Sequence, residues 1–257
     1  MLERAARRAA ARYALLVAGL GGAVEFASWP TARGAPVARG LAAPVSSSAY
    51  DSLVQRVEAV RRSLAREYTI QGSPEVLQRA REYALSAVLD QLLPRWNGTR
   101  WSFNGTAKRP GEGSIACGVF VSTILGEAGF RVQRLALARQ PSEFIIETLV
   151  QRSRIKRFSN VPVERFVEQV RASGPGLYLV GLDCHVGFLV NRGDGLLFVH
   201  SSYVYPWTVI CEDASHSRPL VVSKYRVVGK LLDDAMMRKW LDGSTFETKL
   251  FRRGSAS

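Results

Sequence analysis

Apolar side chains at Leu53, Val57, Val60 and Leu64 recur every three or four positions, which predicts a helix over residues 47–68. A second helix begins at Ser73-Pro74-Glu75, with serine as cap and proline in the first turn, and ends at Pro94. The apolar run after Cys117 is helical in spacing and is closed by Gly126 and Gly129. Phe130–Ala138 alternates as a strand does, and Ser142–Val150 and Val163–Ala172 read as helices. From Leu177 onward the pattern turns to β: strands are predicted at 177–180, 184–191, 196–202, 207–211 and 224–231, followed by a helix over Asp233–Leu241. Helices first and an antiparallel sheet later make this an α+β chain. A helical extension over 46–95 precedes a main domain over 96–257.

The sharpest local signal is a hairpin. His185–Val190 and Leu196–His200 flank Asn191-Arg192-Gly193-Asp194-Gly195, which is strong turn chemistry. With Asn191–Asp194 as the loop, opposed residues sum to 385 and His185 faces His200 directly, Cβ atoms ~4.5–5.5 Å apart. An even loop placed further along keeps both histidines on one face but offsets them diagonally. Gly187 leaves room beside the first imidazole, while Val186, Phe188 and Val190 point to the other face. Two facing imidazoles are poor core material, since each ring has a donor and an acceptor to satisfy.

A lone cysteine after the Gly-rich segment Gly111–Ser114 opens the Cys117 helix, where oriented N–H groups and the helix dipole favour thiolate. A thiol at a helix start, a histidine to take its proton and a polar group to fix that histidine's tautomer make a nucleophilic triad. Cys117 is then nucleophile, His185 general base and acid, and His200 the orienter. Asp183, two residues before His185, competes for the orienting role, whereas His216 sits in a polar loop and reads as a surface residue. Cys117, His185 and His200 would also give three zinc ligands with an open position, although no ligand pair has a short-range metal spacing.

Charge and cysteine count narrow the setting. The chain carries 35 Lys+Arg against 22 Asp+Glu, a net +13, of which the first 43 residues hold +4 (six Arg, two Glu) and the remainder +9. That surplus suits anionic partners. Neither zinc-finger spacing nor a basic stripe interleaved with aromatics accompanies it, so nucleic acid is not the expected partner. Arg4, Arg7, Arg8 and Arg12 precede an apolar run over Tyr13–Val24 and then small residues, the layout of a signal peptide, with a linker to residue 45. Cuts near Ala27 and near Ala42-Ala43 both fit, and an uncleaved anchor or arm is the alternative. In an exported protein Cys117 is the odd thiol, and Cys184–Cys211 is a candidate disulfide; in a reducing compartment all three stay free.

Several segments resemble the NlpC-like branch of papain-fold cysteine peptidases. Ala116-Cys117-Gly118-Val119-Phe120-Val121 is similar to that family's nucleophile segment Asp-Cys-Ser-Gly-Phe-Val, and Pro175–Val180 to its Pro-Gly-Asp-Leu-Val strand. His185-Val186-Gly187-Phe188-Leu189 and Phe198-Val199-His200-Ser201-Ser202 are similar to its His-Val-Gly-Ile-Tyr and Ile-His-Ala-Ser pieces. The resemblance covers roughly Trp101 to Tyr203 and departs at Ala116, Gly118 and Val119. It also lacks the family's upstream tyrosine, in whose place stand Trp101, Ser102 and Phe103, with Ser102, Thr106 or Ser114 left to supply a hydroxyl. It implies a papain-like fold and cofactor-free amide hydrolysis of cell-wall stem peptides by an exported, periplasmic or extracellular enzyme. Trp101, Phe103 and Ser114 would then line the substrate site, and the basic surface would meet an anionic wall polymer. The rival class is a non-catalytic wall- or glycan-binding module on a decayed peptidase scaffold.

Overall fold

The computed structural model describes residues 47–248; the predicted export segment and linker, and the basic tail from Phe251, lie outside the described residues. Helix α1 (Ser47–Gln71) buries Tyr50, Leu53, Val57 and Leu64, the predicted apolar face. Helix α2 (Pro74–Ser86) is capped by the Ser73 hydroxyl, which accepts from the Val76 N–H. It does not stop at Pro94: it widens into a π segment over Ala87–Leu92 and closes as α3 (Leu93–Trp96). Proline has no N–H and its ring crowds the carbonyl four residues back, so a looser turn ahead of it removes the conflict.

Two short strands, β1 (Arg100–Trp101) and β2 (Ser114–Ile115), pair in parallel and lead into helix α4 (Cys117–Glu127). The strand predicted over 130–138 is only β3 (Arg131–Val132), after which the chain turns into helix α5 (Arg134–Ala138). Helix α6 (Ser142–Leu149), strand β4 (Ile155–Ser159) and helix α7 (Val163–Ala172) follow. The remainder is β5 (Gly176–Leu182), β6 (Val186–Asn191), β7 (Leu196–Ser201), β8 (Val209–Asp213), α8 (Arg218–Val222), β9 (Tyr225–Lys230), α9 (Asp234–Asp242) and β10 (Thr245–Phe246), the last paired with β3.

Six of these strands form one antiparallel sheet in the order β4-β9-β5-β6-β7-β8. One face carries Tyr178, Val180, Leu182, Leu189, Phe198 and Val228 against Phe166 and Val170 of α7. The other face receives α4 and α6, with Phe188 edge-on to Phe120 at 6.0 Å and Gly181 and Gly229 lying under Ser142 and Ile146. Helix α4 is buried from Gly118 to Leu125 because the N-terminal helices cover its outer side. Trp96 meets Phe120 at 6.2 Å, and the Trp96 indole N–H donates to the Tyr50 hydroxyl at 2.6 Å. The first helices of the described region therefore brace the helix that carries the cysteine. Among the described residues, no helix is long and apolar enough to cross a membrane.

Candidate active site

Cys117 is the first residue of α4, and its N-cap neighbour Ala116 offers no side-chain acceptor. The first-turn N–H groups of such a helix lack intrahelical partners. Here the sulfur lies near the backbone N–H groups of Gly118, of Cys117 itself and of Val186, which favour its charged form. The segment before it is fixed on two sides. The Ser201 hydroxyl donates to the Ile115 carbonyl at 2.7 Å, and the Arg134 guanidinium bonds the Thr123 hydroxyl at 2.7 Å and the Thr106 carbonyl at 3.2 Å. Gly118 is required by packing, since a Cβ there would lie 2.4 Å from the Ala138 carbonyl oxygen.

The contact from Val186 explains how a helix on one face of the sheet reaches histidines on the other. Strand alternation sets His200 on the α7 face with Leu189 and Phe198, while α4 packs against Phe188 on the opposite face. β6 and β7 are paired only from Phe188↔Val199 to Asn191↔Leu196; beyond Phe188 they part. The Val186 N–H, which a longer ladder would direct at β7, instead acts on the Cys117 sulfur and favours its charged form. At this open end of the sheet Cys117 and His185 line one cavity of about 660 Å³.

The register differs by two from the predicted pairing: opposed residues sum to 387, so Gly187, not His185, faces His200. The histidines are diagonal neighbours on one face. Their contact survives because Gly187 has no side chain, and a Cβ there would lie 2.8 Å from that of His200. His185 Nε2 and His200 Nδ1 are 2.8 Å apart, and His200 Nε2 is 3.0 Å from Glu212 Oε1. Phe198 stacks on the His200 ring at 4.1 Å, and Tyr203 stands edge-on to His185 at 5.0 Å. His185 Nδ1 is buried and has no hydrogen-bond partner.

Burial dominates the electrostatics. It holds the His185 pKa well below the usual imidazole value, with the His200 charge adding to the effect. It lowers that of His200 too, against the raising influence of the Glu212 carboxylate. The Cys117 thiol is pushed up by burial, which outweighs the three N–H groups that pull it down. The helix-start argument for a resting thiolate therefore fails: desolvation wins over the dipole, and the resting pair is thiol and neutral imidazole.

Trp101 and Phe103 line the cavity with Asn104, Thr106, Leu135 and Arg139; Ser114 does not, because it lies in β2, where its carbonyl accepts the Ala107 N–H at 2.9 Å. Asp183 is spent elsewhere, accepting from the Ser223 hydroxyl at 2.9 Å and from the Lys224 and Tyr225 N–H groups at 2.8 and 3.1 Å. His216 is exposed and pairs with Asp213 at 3.4 Å. His185 Nε2 and His200 Nδ1 are turned on each other, and among the described residues no group of three or more His, Cys, Asp or Glu is gathered to hold an ion. All three cysteines are free thiols; Cys184 is exposed at the cavity wall, and Tyr203, not Cys211, is its side-chain partner. Glu212 was hidden in the sequence because Glu212-Asp213 reads as loop, yet β8 runs to Asp213 and pairs His200 with Ile210, which leaves Glu212 on the histidine face. No protein-family model, curated protein or solved structure matches this chain.

Proposed function

We propose that the chain is a cysteine hydrolase of the papain-like, NlpC-type class, exported to cleave amide bonds in cell-wall peptides. The observation that carries this reading is that His185, whose buried Nδ1 has no hydrogen-bond partner, lines the same cavity as Cys117. A neutral imidazole is the form that can accept a proton, and the depressed His185 pKa keeps it neutral through the physiological range. Because the thiol rests protonated, proton transfer from sulfur to His185 Nδ1 accompanies attack on the carbonyl carbon. The C–S bond forms as the carbonyl π pair moves to oxygen. That oxyanion is held by the Cys117 backbone N–H, which turns from the sulfur to it, and by the polar wall of Asn104 and Thr106. Collapse expels the amine, which takes the proton from His185, and water, deprotonated by the same nitrogen, releases the acid from the thioester.

The cavity suits a short peptide with an acidic group. Its wall is largely apolar, and among the described residues Arg139 is the only lysine or arginine in it. The test is mass analysis of peptidoglycan fragments treated with wild type and with Cys117→Ala. Cleavage at a stem-peptide amide by wild type alone supports the reading; equal cleavage by both refutes it. The exposed aromatics Phe103, Tyr205 and Trp207, 82%, 80% and 54% accessible, favour a second reading as a wall-binding module. In that case Cys117→Ala sediments with isolated cell walls as fully as wild type, and neither protein releases products.

A further inference from the structure

We propose that Glu212 is a positioning residue that dictates which nitrogen of His185 is bare, acting through His200 as a one-way chain of hydrogen bonds. This rests on the hydrolase reading for its purpose but not for its test. A carboxylate can only accept, so the 3.0 Å contact obliges His200 to carry its proton on Nε2. A neutral His200 then has a lone pair on Nδ1. At 2.8 Å that lone pair can only receive a proton from His185 Nε2. With its proton on Nε2, His185 keeps a lone pair at Nδ1, the nitrogen that has no hydrogen-bond partner, on a residue that lines the same cavity as Cys117. Every step follows from the one before, and the only group whose polarity is fixed by chemistry alone is the carboxylate.

Remove it and the direction is lost. Two neutral imidazoles joined by one hydrogen bond have two arrangements, and in the other His200 donates and His185 carries its proton on Nδ1. That tautomer cannot take the thiol proton. Burial makes the device effective, because water does not reach His200, which is fully buried, to offer a competing acceptor. Burial also keeps His200 neutral; a doubly protonated His200 would donate from Nδ1 and reverse the chain. Phe198 stacked on His200 and the cap formed by Tyr203 on His185 hold the ring planes so that only the proton positions remain to be chosen.

The chain has three histidines, of which His216 is exposed, so long-range proton–nitrogen correlation spectra of the labelled protein resolve each ring with few assignments. The expected result at neutral pH is a protonated Nε2 and a bare Nδ1 in both His185 and His200. Glu212→Lys offers only donors and should move both protons to Nδ1, whereas Glu212→Asp keeps the wild-type pattern. Glu212→Ala, in case the lysine variant does not fold, should give a mixture. Where a stem-peptide substrate is turned over, the lysine variant should also lose ~10²-fold or more in kcat, the contribution of a general base. A wild-type His185 protonated on Nδ1, or tautomers indifferent to residue 212, overturns the proposal. Because the spectra need no substrate, that failure is separable from a failure of Cys117→Ala to abolish cleavage.

Discussion

Gly187→Ala tests the site at its most cramped point. A Cβ at 187 would lie 2.8 Å from His200 Cβ and 2.6 Å from Phe198 Cε2, against 3.4 Å for ordinary contact. His200 must recede by about 0.6 Å and the Phe198 ring by about 0.8 Å to restore that distance. Recession along the bond stretches the 2.8 Å His185–His200 contact to about 3.4 Å, outside the range of a sound N–H···N hydrogen bond. Overpacking of this kind costs roughly 1–3 kcal/mol. For a chain of this size each kcal/mol lowers Tm by roughly 2–4 °C. The assay is paired: thermal melting for the packing, and the rate of Cys117 alkylation by iodoacetamide across pH for the base. The variant should melt at least roughly 2 °C lower. Below the ionisation of the thiol itself it should alkylate more slowly, because an unanchored His185 no longer accepts the proton. An unchanged melt together with an unchanged alkylation profile would refute the diagonal histidine geometry.

Other consequences follow from the same contacts. Glu127, half-buried beside Tyr50, has its carboxyl pKa raised to about 7 from an ordinary 4.5, chiefly by desolvation. Its folded-state proton is then lost as pH rises through about 7, which removes on the order of 3 kcal/mol of stability between pH 4.5 and 7. Glu127→Gln should flatten that part of a denaturant-midpoint profile, and an unaltered slope contradicts the assignment. His185 and His200 act with opposite sign: their lowered pKa values mean the unfolded chain binds more protons, so stability falls as pH drops below about 6.5. With Glu127→Gln as background, chemical denaturation at pH 7 and 5 should expose this loss, and equal stability at the two pH values speaks against burial of the pair. Ser201→Ala removes the 2.7 Å tie to the Ile115 carbonyl and should cost ~1–3 kcal/mol while leaving the tautomers as they are. Asp183→Ala should destabilise through the β9 turn yet leave the alkylation pH profile in place; a shifted profile would return Asp183 to the orienting role. Thiol titration of denatured, unreduced protein should count three free groups per chain, and a count of one would restore the Cys184–Cys211 bridge.

Much of this architecture is legible from periodicity where segments are long. The α1 face, the β5–β7 strands and the convergence of His185 with His200 follow from spacing alone. Short windows are less decisive: Phe130–Ala138 alternates, but Arg134–Ala138 is helical, because Ala138 packs on the Gly118 backbone of α4. The hairpin register slipped because Asn191 looks like a turn residue. In the fold it ends β6 instead, its amide donating to the Arg171 and Gly174 carbonyls at 3.0 and 2.8 Å, and the loop begins at Arg192. Local chemistry favoured the turn and a tertiary clamp overrode it. The thiolate expectation failed for a related reason. A helix terminus is visible in sequence, but the desolvation that outweighs it depends on what segments distant in the chain bring around the sulfur. Nor does spacing reveal that β6 and β7 part at Val186, the opening without which α4 and the histidines would stay on opposite faces.

The most direct measurement is the intact mass of protein quenched in acid during turnover of a stem-peptide fragment, with the modified residue located by peptide mapping. An adduct of the acyl portion on Cys117, absent from Cys117→Ala and from His185→Ala, is the predicted result. Sustained cleavage with no acyl group on Cys117, or undiminished turnover in either variant, would contradict the account.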